Sequence, residues 1–300
     1  MADIEQPRPR LRSNGLVVIV LWISCLLFIG VWLATKNKVF KKVIPTIRGE
    51  VTLDNNFVIT TIKNRYPIII NRKDPFVGKQ LRYQGNVKSL FAEAAANLCK
   101  PKDNVVEIGA HYGVNAILLG QKLLESSGKY YAIEANSRVA SYLTKNMVLN
   151  DLTDKVTVIN KAIADHDGDC DIKDILSYKK KKETKTYEIQ DMKVKGEALD
   201  HVLPKEDIQL LMIDIPGMEF SIINGAKGII GRSEDIKILV NCNVDESTQN
   251  LDVERELMNL QSSGFHFFEV SNELQYKQIS MEEILAKKHL IMVIQKEETL

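Results

Sequence analysis

Residues Glu107-Ile108-Gly109-Ala110-His111-Tyr112-Gly113 follow the apolar pair Val105-Val106. An acid at the end of a buried strand, then two glycines leading into a helix, lets the backbone turn tightly and approach a ligand closely. His111 stands where G-x-G-x-x-G has its middle glycine, so no pyrophosphate loop is implied and NAD or FAD is the weaker reading. A second strand ends at Glu134. A carboxylate there accepts hydrogen bonds from ribose hydroxyls. A glycine turn without the phosphate fingerprint, plus a ribose acid, suits a nucleoside cofactor that lacks a pyrophosphate, and S-adenosylmethionine fits that description. Glu107 also reads as an acceptor of backbone N–H groups in the turn. His111 reads equally as facing the cofactor carboxylate or as packing within the loop. Asp214 ends a later strand and is the candidate base or acceptor-orienting group, with a cap on the Pro216-Gly217 turn as its other reading. Asn243 and Asp245 could join Asp214 around a cation, but no ligand spacing supports such a site.

These residues need a scaffold that brings several strand ends together. Apolar runs predict strands at 104–108, 130–133, 156–160, 208–213, 236–240, 265–270 and 289–295. Helical spacing predicts helices at 87–99, 114–125, 138–150, 219–230 and 253–262. Strands alternating with helices indicate an α/β, doubly wound, mostly parallel sheet, whose ligands lie beyond the carboxyl ends of the strands. Asn146 and Asn150 are expected to cap and brace a helix rather than touch ligand. Residues 40–82 read as short strands and turns. Residues 171–195 are charge-dense, with lysines at 179–182, and read as a solvated excursion or as a patch for anionic lipid headgroups.

Residues 16–34 carry no charge and are long enough for a transmembrane helix, with Trp22 and Trp32 inside the run. Basic residues are more numerous after the run than before it, which places the body on the cytoplasmic side of a single-pass anchor. The absence of any N-x-S/T sequon agrees with that orientation. The expected organisation is an arm (1–15), an anchor (16–34), a β-rich extension (35–85) and a catalytic domain (86–300). With 40 Lys+Arg against 39 Asp+Glu, the chain is not a strongly basic nucleic-acid binder. The 4 cysteines show no CxxC pairing, which disfavours a zinc module or a disulfide framework.

From about Asp74 to Gln295 the sequence resembles the FkbM family of S-adenosylmethionine-dependent methyltransferases. VVEIGAHYG is similar to that family's V-[DE]-x-G-A-N-x-G, and residues 132–150 keep Glu134, Leu143, Asn146 and Asn150 of its next block. Residues 156–169 resemble its third-strand segment, 196–204 its Leu-Asp segment, and 210–226 its L-K-I-D-x-E-G-x-E block. The resemblance implies a class I methyltransferase fold and methyl transfer to a hydroxyl on a sugar, lipid-linked or small-metabolite acceptor. It implies cofactor contacts from Glu107, Gly109, His111, Gly113, Glu134 and Ala162. His111 stands where the family has Asn, Met212 where it has Lys, Pro216 where it has Glu, and Asn241 where a Glu often ends the fifth strand. Asp214 and Glu219 remain. Those departures keep a second reading open, a degenerate methyltransferase-like domain serving as a membrane-tethered binding module.

Overall fold

A computed structural model describes residues 51–53, 56–74, 77–84, 89–181, 184–203, 205–244 and 253–299. The chain divides into Met1–Ile47 and Arg48–Leu300, and all described residues belong to the second unit.

That unit is built on an eight-stranded sheet. Its parallel part comprises β4 (Val105–Ile108), β5 (Tyr130–Ile133), β6 (Val156–Ile159), β10 (Leu210–Ile213) and β11 (Lys237–Asn243). Three antiparallel strands complete one side: β12 (His266–Val270), β13 (Tyr276–Gln278) and β14 (His289–Gln295). The strand order is β13-β12-β14-β11-β10-β4-β5-β6. The chain runs outward from β4 through β5 to β6, then returns to the other side of β4 with β10. The β4/β10 boundary is therefore the switch point, where an open α/β sheet leaves a crevice. Ile108 pairs with Ile213, so Gly109 and Asp214 begin their loops side by side.

Alternation along the strands fills a core on each face of this sheet. Val105, Leu210 and Met212 pack on one face, Val106, Ile108, Leu211 and Ile213 on the other. The first face carries α2 (Leu90–Leu98), α3 (Val114–Leu123) and α4 (Ser137–Leu149). Ser89 caps α2 through the N–H of Ala92, and Asn136 caps α4 through those of Arg138 and Val139. An Asx or Ser side chain at that position satisfies donors the first turn leaves open.

The extension joins the same core. β1 (Val51–Thr52), β2 (Phe57–Ile62) and β3 (Tyr66–Asn71) form a small antiparallel sheet, followed by α1 (Val77–Gln84), a helix the sequence pattern did not predict. Phe57 stacks on Tyr142 of α4 at 3.9 Å between ring centroids. Buried Asn146 accepts from the backbone N–H of Ile69 and donates to the carbonyls of Ile69 and Tyr112. Asn150 donates to the carbonyl of Pro67. The two asparagines thus brace α4, as expected, and also fasten the extension to the loop that follows β4.

Residues 171–195 lie in a long antiparallel ribbon, β8 (Gly168–Lys181) with β9 (Thr184–Ala198), irregular between Ile175 and Ser177. β7 (Ala162–Ala164) adds to it in parallel with β9. The helix expected over 219–230 is two helices, α6 (Glu219–Asn224) and α7 (Lys227–Arg232). Asp200, in the short helix α5 (Leu199–Val202), accepts from the N–H groups of Gly228 and Ile229, both at 2.7 Å, and so starts α7 afresh.

The expected membrane-spanning helix needs correction. Among the described residues no helix is long and apolar enough to cross a membrane. The longest, α4, has 13 residues. At ~1.5 Å per residue that is about 20 Å, against the ~30 Å of a hydrocarbon core. Segment 16–34, and the membrane contact assigned to it, lie outside the described residues. The fold of the described residues is α/β of the class I methyltransferase type, none of their helices is a membrane-spanning one, and the single-pass membrane localisation is not retained.

Candidate active site

The loop after β4 adopts left-handed backbone at three alternate residues, with φ of 89° at Gly109, 52° at His111 and 86° at Gly113. A Cβ on Gly109 would lie 2.6 Å from Ile215 Cδ1 and 2.9 Å from the Asp214 carbonyl oxygen. One on Gly113 would lie 2.4 Å from Leu143 Cδ1. Both glycines therefore answer to φ and to close approach, and Gly109 rests on the turn that carries Asp214. Asn and His tolerate the left-handed region better than most residues, which accommodates His111 where the family has Asn.

Glu134, just past β5, holds this loop in place. Its Oε2 accepts the N–H of His111 and its Oε1 that of Asn136, both at 2.9 Å. A carboxylate has about four acceptor sites, so each oxygen keeps one for a ribose hydroxyl. Asn160 supports the same turn by donating to the carbonyls of Glu134 and Ala135. Ala162, the expected contact from this segment, is buried at the start of β7, paired with Gly196 in the ribbon sheet.

Glu107 lies elsewhere. Strand alternation turns it into the core between Tyr130, whose hydroxyl donates at 2.7 Å, and Asn115, whose amide donates at 2.8 Å. Burial pushes its carboxyl up to about 7, against the pull of those two hydrogen bonds. Its acceptors meet side chains rather than the backbone N–H groups of the turn. Met212, in place of the family's Lys, sits on the same face with its sulfur 3.9 Å from the Tyr130 hydroxyl.

His111 Nε2 lies 3.3 Å from Oδ2 of Asp74, and its side chain is one-third exposed. Asp74 also caps α1, accepting the N–H groups of Val77 and Gly78 through Oδ1. Burial would favour the neutral imidazole. The Asp74 hydrogen bond and charge, with Glu134 and Asp214 nearby, outweigh it and hold His111 above its ordinary value.

Asp214 begins the loop after β10, its N–H donating to the Ile108 carbonyl. Its Oδ1 accepts from Asn241 Nδ2 at 2.8 Å, and Asn241 Oδ1 in turn lies 2.7 Å from His289 Nε2. Burial holds the Asp214 carboxyl above the usual range, against the Asn241 hydrogen bond and the charges of His111 and His289. Glu219 is fully buried and accepts the backbone N–H of Asn243. Asn243 therefore meets Glu219 through its backbone, Asp245 lies outside the described residues, and no metal-type cluster occurs among the described ones.

The structure thus brings Gly109, His111, Gly113, Glu134 and Asp214 to the switch point, while Glu107 and Ala162 support it from the core. Sequence reasoning missed Asp74, Asn115, Tyr130, Asn160 and His289. Each comes from a segment distant in sequence from its partner, or is a polar residue with no motif of its own. The arrangement fits S-adenosylmethionine through two features: a left-handed glycine loop packed tightly against the β10 turn and α4, and an acid with acceptor sites to spare.

Solved structures similar to this chain include two methyltransferases. One is a TehB-like S-adenosylmethionine-dependent methyltransferase from Corynebacterium glutamicum, with 11% identity and TM-score 0.43, over 73% of this chain and 94% of that one. The other is a methyltransferase FkbM from Methylobacillus flagellatus, with 13% identity and TM-score 0.45, over 71% of this chain and 49% of that one. Family membership rests on sequence: the methyltransferase FkbM domain matches residues 107–277, more than half the chain. This chain belongs to the FkbM methyltransferase family.

Proposed function

We propose that this protein uses S-adenosylmethionine to methylate a hydroxyl oxygen on a sugar, lipid-linked or small-metabolite acceptor. The observation that carries the reading is the adjacency of the glycine cradle and Asp214 across the β4/β10 switch point, Gly109 packing against the Asp214 backbone. The sulfonium methyl of the cofactor would supply the electrophile. Glu134 and the loop after β4 hold the nucleoside. Asp214 orients the acceptor hydroxyl and takes its proton, and a carboxyl raised by burial is a stronger base for that task. Fixing both reactants in line lowers the barrier further through orientation. The near-neutral chain agrees with a small acceptor better than with a nucleic acid.

The test uses the full chain, methyl-labelled S-adenosylmethionine and a small-metabolite extract. Micromolar cofactor binding by calorimetry should vanish in Glu134→Ala. Label should enter an acceptor with wild-type protein and not with Asp214→Asn. Heat with NAD and none with the methyl donor would sink the reading. A second reading, a binding module without transfer, is favoured by Met212 and Asn241, which replace charged family residues with neutral ones. Cofactor binding with no labelled acceptor would select it.

A further inference from the structure

The side chains around Asp214 form a chain of defined polarity. An ionised Asp214 is acceptor-only, so the group 2.8 Å from its Oδ1 must be the amide NH₂ of Asn241. That fixes the Asn241 amide the other way round toward β14, with its oxygen facing His289. An amide oxygen only accepts, so His289 must carry a proton on Nε2, the atom 2.7 Å away. Each orientation is forced by the previous one. The direction of the chain, from His289 through Asn241 to Asp214, is therefore a consequence of the carboxylate at its end.

The chain engages only half of that carboxylate. Among the described residues nothing hydrogen-bonds Oδ2 of Asp214. The one buried side-chain polar atom left without a partner among them is Gln295 Oε1, so Oδ2 keeps access to solvent. His289 is itself exposed, at the first residue of β14, and contributes little to the core. Its bond to Asn241 is thus poorly explained as a support of the sheet, whose β11/β14 ladder is already complete from Ile238–Ile294 to Asn243–His289. A family Glu at position 241 would place a second carboxylate against Asp214. The amide replaces that repulsion with a donor, and the amide needs a donor of its own behind it to stay in orientation.

We propose that His289 and Asn241 are positioning residues for Asp214, fixing one carboxylate oxygen so that the other faces the acceptor hydroxyl. The proposal rests on the methyl-transfer reading above and deepens it. His289 touches no reacting atom. It acts through Asn241, and the property that matters is an N–H at the Nε2 position. Gln carries a donor nitrogen at similar reach and Ala does not.

The experiment compares wild type, His289→Ala and His289→Gln in the full chain. Carbon-13 NMR of the Asp214 carboxyl, assigned with Asp214→Asn, reads its titration. The groups whose charges act on Asp214 are His111 and His289, which lower it, and Glu107 on the adjacent β4 is coupled to it as a like charge. In His289→Ala the titration should move upward, since the oriented amide and the imidazole that lowers the carboxyl are both lost. His289→Gln should fall between Ala and wild type. With labelled S-adenosylmethionine and the acceptor fraction it labels, kcat should drop about 10-fold or more in His289→Ala. KM for the cofactor should stay unchanged, and His289→Gln should recover most of the rate. The proposal is overturned by an Asp214 titration identical in wild type and His289→Ala, or by Gln and Ala variants that behave alike. If wild type labels no acceptor, the functional reading fails while the NMR comparison still decides the positioning.

Discussion

Glu134 and Asp214 follow strands that flank β4 on opposite sides, and the structure holds the two carboxylates by different means. Glu134 is gripped by main-chain N–H groups, those of His111 and Asn136. Asp214 is gripped by a side chain, Asn241, which is itself braced by a side chain, His289. A backbone cradle depends on loop conformation and tolerates a change of side chain, provided the residue accepts left-handed φ, as His111 does. A side-chain relay depends on residue identity at every link. The cofactor half should therefore respond to substitution through binding and folding, and the acceptor half through turnover alone.

The largest effect expected is on the acceptor side. Asp214→Asn should lower methyl transfer by about 10²–10⁴-fold, the usual contribution of a general base. Cofactor affinity and folded stability should stay close to wild type, because the neutral amide no longer carries a charge that burial opposes. A large loss of stability in this variant would break the contrast. The mirror experiment is Asn146→Ala, which leaves the N–H of Ile69 and the carbonyls of Ile69 and Tyr112 without their partner. At about 1–3 kcal/mol per orphaned buried group, partly recovered by relaxation, urea unfolding should show a loss of about 3 kcal/mol. Cofactor affinity should fall with it, since Tyr112 belongs to the loop after β4.

The same division governed what the sequence disclosed. Glu107, Gly109, Gly113 and Glu134 were legible because a backbone cradle writes itself as glycines and acids at local spacing, next to apolar strands. Asp214 was legible from its strand. Its partners were not: Asn241 lies 27 residues away and His289 a further 48, joined only by sheet pairing. Asn241 was noted only as a departure from the family. Helix α1 escapes the sequence pattern because its eight residues offer only Val77 and Leu81 at helical spacing, too short a stripe to announce it, and it is started by Asp74, whose second role at His111 is tertiary. Glu107 was placed correctly on β4, but the face it occupies follows from strand alternation in a sheet covered on both sides. The membrane-spanning helix was inferred from apolar length, and no described helix has that character.

Glu134→Gln sharpens the cofactor side. Gln keeps one oxygen, so either His111 or Asn136 loses its acceptor, and the ribose loses a charged partner. A charge-assisted hydrogen bond contributes about 1.5–3 kcal/mol, so calorimetry should give roughly 10–100-fold weaker S-adenosylmethionine binding. Stability should fall by less than in Asn146→Ala, because Glu134 is half-buried and water can replace the lost oxygen. Equal affinity in Glu134→Gln and wild type would remove Glu134 from the cofactor site and leave it a brace for the loop.

A further test, read as a slope over pH rather than as a loss at one pH, separates the two acids of the cofactor half. Glu107 is buried with its carboxyl pushed from 4.5 to about 7. Below pH 4.5 the group is protonated both folded and unfolded, so its contribution to stability is fully present. As pH rises toward 7 the unfolded chain releases the proton and the folded one retains it. Stability then declines, by about 1.4 kcal/mol per pH unit at most, and the contribution is lost once pH passes about 7. Glu107→Gln removes this titration. Its urea midpoints between pH 4.5 and 8 should therefore lack that slope, even though one of the bonds from Tyr130 and Asn115 is weakened. If variant and wild type share one slope, the Glu107 carboxyl is titrating as a hydrated group. It would then have to face the cleft beside Glu134 rather than the core beside Tyr130, and the cofactor half would present two ligand-facing acids instead of one.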